Sequence, residues 1–585
     1  MRTPNLWALF LAAACSGLAG AQESGVRLPD IGSSAASIAS PEEMREYGAS
    51  MLRELRSYNL VFDDPLVSDY IGSLGYRLVS FSDGASQPFT FFVVRSNEIN
   101  AFAAPGGYLG FNIGLINSVQ SEDELAAVIG HEIAHITQQH TLRAFEDSKK
   151  VSLPIALAML GALVAASGRS DDAGQAAIMG GVSLMQQRAI NFTRYDEIEA
   201  DRIGIQTLAR AGYDPLAMAD TFGMFQRIMR TNGIDVPEFL RTHPVDVNRI
   251  ADAKARAEAL TRAQTHAFGK PALPAAPEQA DEACAGVARI GETELGAART
   301  TTCQPAPLRL SVPTQATTLA PRSKVTEPGA PNYFELMRER ARTLNADSAN
   351  AILRYYADDL RDKPGFDTPA NRYGHALALL RVRQSQAAVE AFGALVAAHP
   401  GQSVFELGLA AAEDQAGRKA DALSRYARIN ENYPGNRAIA LAYADALLAD
   451  ADAKSAQRAQ DLLRPMVARH ADDPDLQRAY GRSAELSGDK VRAAEAFAEA
   501  TFLNGRAEDA LNQLKALSKD GNLDYTQRAR VDARITSMTP IVLDLRKRGM
   551  REESSGSSGG LAEKAACERR LCVGVSSGRN NPPLQ

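Results

Sequence analysis

The stretch Val128–His140, VIGHEIAHITQQH, places His131, Glu132 and His135 in one run, with His140 five residues further on. On a helix, residues four apart lie one turn apart on the same face, so His131 and His135 present two imidazoles in one direction. The flanking text supports a helix. SEDELAAVIGHEIAHITQQH opens with Ser121 and Glu124, a capping-box spacing, and its apolar residues recur at Leu125, Val128, Ile129 and Ile136. Zinc accepts neutral imidazole nitrogens, and a catalytic zinc takes three protein ligands and leaves one position to water. Glu132, beside the first histidine, is placed to take a proton from that water. His140 lies beyond the second ligand and is expected on solvated helix surface.

A third ligand has to come from elsewhere. The best candidate is the helical segment Asp196-Glu197-Ile198-Glu199-Ala200-Asp201. Glu197 and Asp201 are four apart, so one can ligate while the other holds the distal N–H of a ligand histidine. Taken alone, the same residues also read as a solvated acidic helix start; it is the upstream motif that favours the ligand reading.

Working outward, 585 residues exceed what one core supports. Charges of both signs are mixed along the chain at a net -6, which lacks the concentrated basic footprint of a nucleic-acid partner. Residues 1–21, MRTPNLWALFLAAACSGLAGA, read as a signal peptide cleaved after Ala21, because the apolar run falls short of the ~20 residues of a bilayer span. The rival is a lipoprotein anchored through Cys15 in a loose lipobox. Export to the periplasm would allow Cys284–Cys303 and Cys567–Cys572 to close as disulfides.

Residues 22–264 form the first unit. PEEMREYGASMLRELRSY and DPLVSDYIGSLGYRLVSF give two helices, and Phe89–Ile116 gives β-rich text broken into a hairpin by Pro105-Gly106-Gly107. Two apolar helices, 151–167 and 173–187, follow, and then the helix YDEIEADRIGIQTLARAG, stopped by Gly212. A Pro/Ala-rich linker covers 265–330. From 331 to 545 the text is almost wholly helical, with helix ends marked by Pro400, Pro434 and Pro474. The first spacing is 34 residues, the signature of tetratricopeptide repeats; the second is longer, with the extra residues expected in the loop DADAKSAQR. A Ser/Gly-rich tail, 546–585, is expected to be disordered. The fold class is mainly α: an α+β unit with a small sheet that carries the metal motif, then a helical repeat solenoid.

HEIAH followed by EIEAD resembles the M48 group of gluzincin metallopeptidases, in which a Glu-x-x-x-Asp helix completes a two-histidine site. NAFAAPGG, EADRIGIQ, AGYDPLAM and THPVDVNRI are similar to a periplasmic subgroup that joins the peptidase to C-terminal repeats. The resemblance implies one Zn2+ per chain held by His131, His135 and Glu197, with Glu132 as general base and Asp201 behind a ligand histidine. It further implies that His243, in the Thr-His-Pro motif, can occupy the fourth zinc position and hold the site inactive. Substrates in such enzymes bind by strand addition, which makes Asn100-Ala101-Phe102-Ala103 the candidate edge strand; an ordinary core strand is the alternative. The implied activity is zinc-dependent endopeptidase cleavage of misfolded or stalled outer-membrane proteins, with the barrel-assembly machinery as partner. The rival is a chaperone or adaptor with a switched-off site.

Overall fold

A computed structural model describes residues 40–85, 87–140, 194–232, 238–267 and 331–547. Residues 1–21, read above as a signal peptide, the apolar segments 151–187, all five cysteines, almost all of the linker and nearly the whole tail lie outside the described residues.

The chain begins with α1 (Pro41–Ser57) and α2 (Pro65–Phe81), each opened by a capping side chain followed by proline, whose missing N–H costs nothing in a first turn. Three strands follow: β1 (Thr90–Val94), β2 (Ala101–Ala104) and β3 (Tyr108–Asn112). Strands β2 and β3 form the expected hairpin through Pro105-Gly106-Gly107, both glycines having positive φ. The sheet order is β1-β3-β2, with β1 parallel to β3, a pairing that alternation alone did not reveal. Strand β2 therefore forms one edge of this sheet.

After the short α3 (Ile113–Ser118), the central helix α4 (Glu122–Thr137) is buried at every residue from Glu124 to Ile136. Ser121 caps it by accepting from the Glu124 N–H at 3.2 Å, but the Glu124 carboxylate accepts from the Gln120 N–H instead of closing the box on Ser121. Helix α5 (Arg194–Ala211) packs along α4. Their crossing is close because Gly204 faces Gly130: a Cβ on Gly204 would stand 3.2 Å from the His131 backbone nitrogen and 3.1 Å from Met218. Helices α6 (Ala217–Asn232), α7 (Glu238–Thr242) and α8 (Val247–Ala267) complete this half.

The C-terminal half is an array of helices in which the first two both pack on the third, and each from the third onward packs on its sequence neighbours. It runs α9 (Tyr333–Asn345), α10 (Ala349–Asp362), α11 (Pro369–Arg381), α12 (Ser385–Ala398), α13 (Ser403–Gln415), α14 (Lys419–Asn432), α15 (Arg437–Leu447), α16 (Ala453–Arg469), α17 (Pro474–Ser487), α18 (Lys490–Leu503), α19 (Ala507–Leu517) and α20 (Tyr525–Lys547). The first helices of successive pairs, α11, α13, α15, α17 and α19, start at intervals of 34, 34, 37 and 33 residues. The extra residues near DADAKSAQR do not make a long loop. They form a 3-10 turn (Leu448–Asp450) and a left-handed Ala451, after which Asp452 caps a lengthened α16.

The two halves share one apolar core. Asp64, which caps α2 through the Val67 N–H, also accepts two hydrogen bonds from Arg340 on α9, at 2.8 and 2.7 Å. Arg340 donates its remaining arm to the Tyr373 hydroxyl. Further along the array, Arg437 pairs with Asp69 of α2 at 2.9 Å, and Arg53 of α1 lies over the Phe502 ring. Arg340→Ala leaves a buried carboxylate uncompensated and should destabilise the full chain by about 3–5 kcal/mol in urea denaturation. Gly204→Val should lower the melting temperature, since overpacking a helix crossing costs on the order of 1–3 kcal/mol; an unchanged transition would show that the crossing is slack.

Candidate metal centre

The α4–α5 crossing brings the two sequence motifs together inside the protein. His131, Glu132, His135, Glu197, Asp201 and His243 are each no more than 2% exposed. The Nε2 atoms of His131 and His135, whose rings project from adjacent turns of α4, are 2.9 Å apart. Glu197 Oε1 stands 3.4 Å from His135 Nε2, and its Oε2 stands 3.6 Å from His131 Nε2. His243, at the end of α7, adds Nδ1 at 3.4 Å from His131 Nε2 and 2.9 Å from Glu197 Oε1.

These separations test whether zinc fits. With Zn–N and Zn–O bonds of about 2.0–2.2 Å, neighbouring ligand atoms of a tetrahedron lie about 3.3–3.6 Å apart. The observed distances of 2.9–3.6 Å bracket that range. The donor set of three imidazoles and one carboxylate is zinc chemistry, and it is buried. Behind it, His131 Nδ1 lies 3.0 Å from Asp201 Oδ1, the carboxylate–histidine arrangement that leaves Nε2 free to ligate.

The surrounding charges are tuned to hold a cation. Burial disfavours a charged His131, but the hydrogen bonds and charges of Asp201 and Glu197 outweigh it and push its pKa up to about 10. Burial and the nearby His131 hold His135 well below the ordinary histidine value. Glu197 resists its burial because His243 and His131 stabilise the carboxylate, which stays well below the usual range. Glu132 is different: burial raises its pKa, only partly offset by His243 and His131. Neither Glu132 oxygen has a hydrogen bond among the described residues, and Oε1 sits 3.7 Å from His243 Nε2. A buried carboxylate aimed into a donor cluster, with nothing yet to accept from, is poised to take a proton from whatever binds there.

Several site residues were missed in the sequence. Arg249 of α8, buried, donates from Nε and Nη2 to both Asp201 oxygens at 2.8 Å, while Nη1 reaches Glu197 Oε2 at 2.9 Å and the Pro244 carbonyl at 2.6 Å. It ties the His243 loop to α5. Phe239 stacks on His243 with centroids 4.8 Å apart, and its backbone N–H donates to the Ile99 carbonyl just before β2. His140 corrects an expectation. It is fully buried, not solvated, with Nδ1 2.9 Å from His135 Nδ1 and Nε2 3.1 Å from Glu199 Oε2. The left-handed Gln139 (φ 57°) ends the α4 register and swings the next residue back against the helix, which a straight helical wheel does not anticipate. Asn100, just before the edge strand, is buried; on that strand, which packs beside α4, Ala101 and Ala103 are buried and Phe102 is partly so.

Comparison with known proteins agrees with this geometry. The chain is 29% identical over 514 residues to the beta-barrel assembly-enhancing protease of Escherichia coli, covering 88% of this chain and 91% of that protein. It is 42% identical over 255 residues to a Vibrio cholerae protein provisionally given the same name, a match that spans 44% of this chain and about half (52%) of that protein. The mitochondrial metalloendopeptidase OMA1 of Arabidopsis thaliana is 32% identical over 171 residues, 29% of this chain and 32% of its own. Residues 65–257 match peptidase family M48. That span contains both helices of the buried donor set, and over those residues the chain carries a peptidase M48 domain.

Proposed function

We propose that this chain is a zinc-dependent endopeptidase exported to the periplasm, where it acts in protein quality control on misfolded or stalled outer-membrane proteins. The observation that carries the reading is the convergence of His131, His135 and Glu197 beside the hydrogen-bond-free carboxylate of Glu132. The relatives named as assembly-enhancing proteases support the substrate class, and the recurring helix pairs, read as tetratricopeptide repeats, support protein recruitment, the barrel-assembly machinery included.

In this reading His131, His135 and Glu197 hold the zinc. Bound zinc supplies Lewis-acid polarisation of the scissile carbonyl and of the attacking water. Asp201 accepts from His131 Nδ1–H and so keeps the Nε2 lone pair directed into the site. Arg249 holds Asp201 by two parallel bonds, so that this acceptor cannot rotate away. Glu132, with its carboxyl raised by burial, takes the proton of the attacking water and delivers it to the leaving amine. Strand β2 offers its edge to an extended peptide.

In this reading His243, 3.4 Å from His131 Nε2 and 2.9 Å from Glu197 Oε1, closes the fourth position. The same segment also occupies the Ile99 carbonyl next to the edge strand, through Phe239. A substrate strand must displace both. This pair of contacts is also what favours the second reading, a chaperone or adaptor whose zinc site is kept closed.

Glu132→Gln should retain zinc and lose cleavage of an unfolded outer-membrane protein by about 10²–10⁴-fold; full support of outer-membrane assembly by this variant would make the chaperone role the principal one. Glu197→Gln should lose zinc during dialysis, and a variant that keeps both metal and turnover would remove Glu197 from the ligand set. His243→Ala should cleave faster than the parent chain with zinc content unchanged. Equal rates would end the closing role of His243.

A further inference from the structure

The structure contains a second group of metal-capable residues, His140, Asp196 and Glu199, directly behind the first. Its geometry decides what it does. The His140 Nδ1 and His135 Nδ1 atoms are 2.9 Å apart, with the two rings edge to face at 79°. Where no metal position lies between them, two ring nitrogens at that distance share one proton, so one donates and the other accepts; the equally close Nε2 atoms of His131 and His135 face the metal position instead. On its far side His140 Nε2 lies 3.1 Å from Glu199 Oε2 and 3.8 Å from Asp196 Oδ1. Asp196 and Glu199 are three apart on α5 and share a face, while Glu197 and Asp201 share the face turned to the ligand histidines.

Two proton arrangements are conceivable for neutral rings. If His140 Nδ1 donates, then His135 carries its proton on Nε2, the atom that faces the zinc donors, and the bare Nε2 of His140 faces a carboxylate. Both ends are wrong. If His135 Nδ1 donates, its Nε2 lone pair is free for the metal, and His140 carries its own proton on Nε2, where Glu199 accepts it. Every group is then satisfied.

We propose that His140 and Glu199 are positioning residues for the metal centre: Glu199 fixes the tautomer of His140, and His140 in turn fixes the tautomer of His135. His131 is oriented by a carboxylate directly, through Asp201, whereas His135 is oriented through an intervening imidazole. The arrangement also states what the second cluster is not. With zinc on His135, His140 Nε2 holds a proton and cannot ligate, so the two clusters do not bind metal together. This inference rests on the reading of His135 as a zinc ligand.

The test uses the full chain. Zinc affinity is measured by competition with a chelator, and histidine ring protons are read by nitrogen-15 NMR of the zinc-loaded protein. His140→Leu should weaken zinc binding by about 10–100-fold, the usual effect of losing such a partner. His140→Asn should stay within a few-fold of the parent, because its amide oxygen can accept from His135 Nδ1–H. Glu199→Ala should weaken binding in the same direction, and its effect should largely vanish in the His140→Leu background. In the parent chain, the His135 proton should sit on Nδ1 and the His140 proton on Nε2. A packing role alone would not distinguish asparagine from leucine, nor set those protons. The inference is overturned by His140 protonated at Nδ1, by parental zinc affinity in His140→Leu, or by a second zinc per chain that this variant loses. His135→Ala separates the two readings: if it keeps parental zinc affinity, the ligand assignment itself is wrong. If it loses zinc while His140→Leu does not, only the positioning role falls.

Discussion

The site depends on how closely two helices can approach. His131 and His135 on α4 and the carboxylates on α5 can meet only if the backbones cross without side chains between them, and Gly130 and Gly204 provide that crossing. The distance from Asp201 to His131, 3.0 Å, is set there. A single added methyl group at Gly204 would press on the backbone of His131. Packing and chemistry are therefore the same constraint at this point, and the interior is rigid enough to transmit it.

Burial makes the second demand. Three imidazoles and three carboxylates sit in a space closed to water, and isolated charges there would be very costly. The protein balances them by placing Arg249 across Asp201 and Glu197 and by pairing each imidazole with an oxygen or a ring nitrogen. Because Arg249 also grips the Pro244 carbonyl, the loop carrying His243 is fastened to the helix carrying Glu197. Movement of that loop and reorganisation of the carboxylates are coupled through one guanidinium.

What could be read from the sequence was whatever depends on short spacing. His131, Glu132 and His135 are legible because one helical turn fixes their relation, and Glu197 with Asp201 repeats the same four-residue rule. The helix pairs of the C-terminal half are legible through their 34-residue period, and the β2–β3 hairpin through Pro-Gly-Gly. The rest depended on tertiary contacts. Arg249 looks like any basic residue of a surface helix until Asp201 is placed beside it. His140 looked solvated because the left-handed turn at Gln139 is not written in the pattern of apolar residues. The parallel pairing of β1 with β3 likewise joins segments whose order in the chain does not announce it.

Asp64 caps α2, and it is also the acceptor for Arg340. One carboxylate thus belongs to the local folding of the first half and to its seam with the second. The halves are not beads on a string: cutting the chain before α9 would strip the counter-charge from a helix start that packs on the same core as α4. The repeat array is in this sense a part of the peptidase's own scaffold. Evolution could vary its outer surface freely, while the residues on the seam would have to change in pairs.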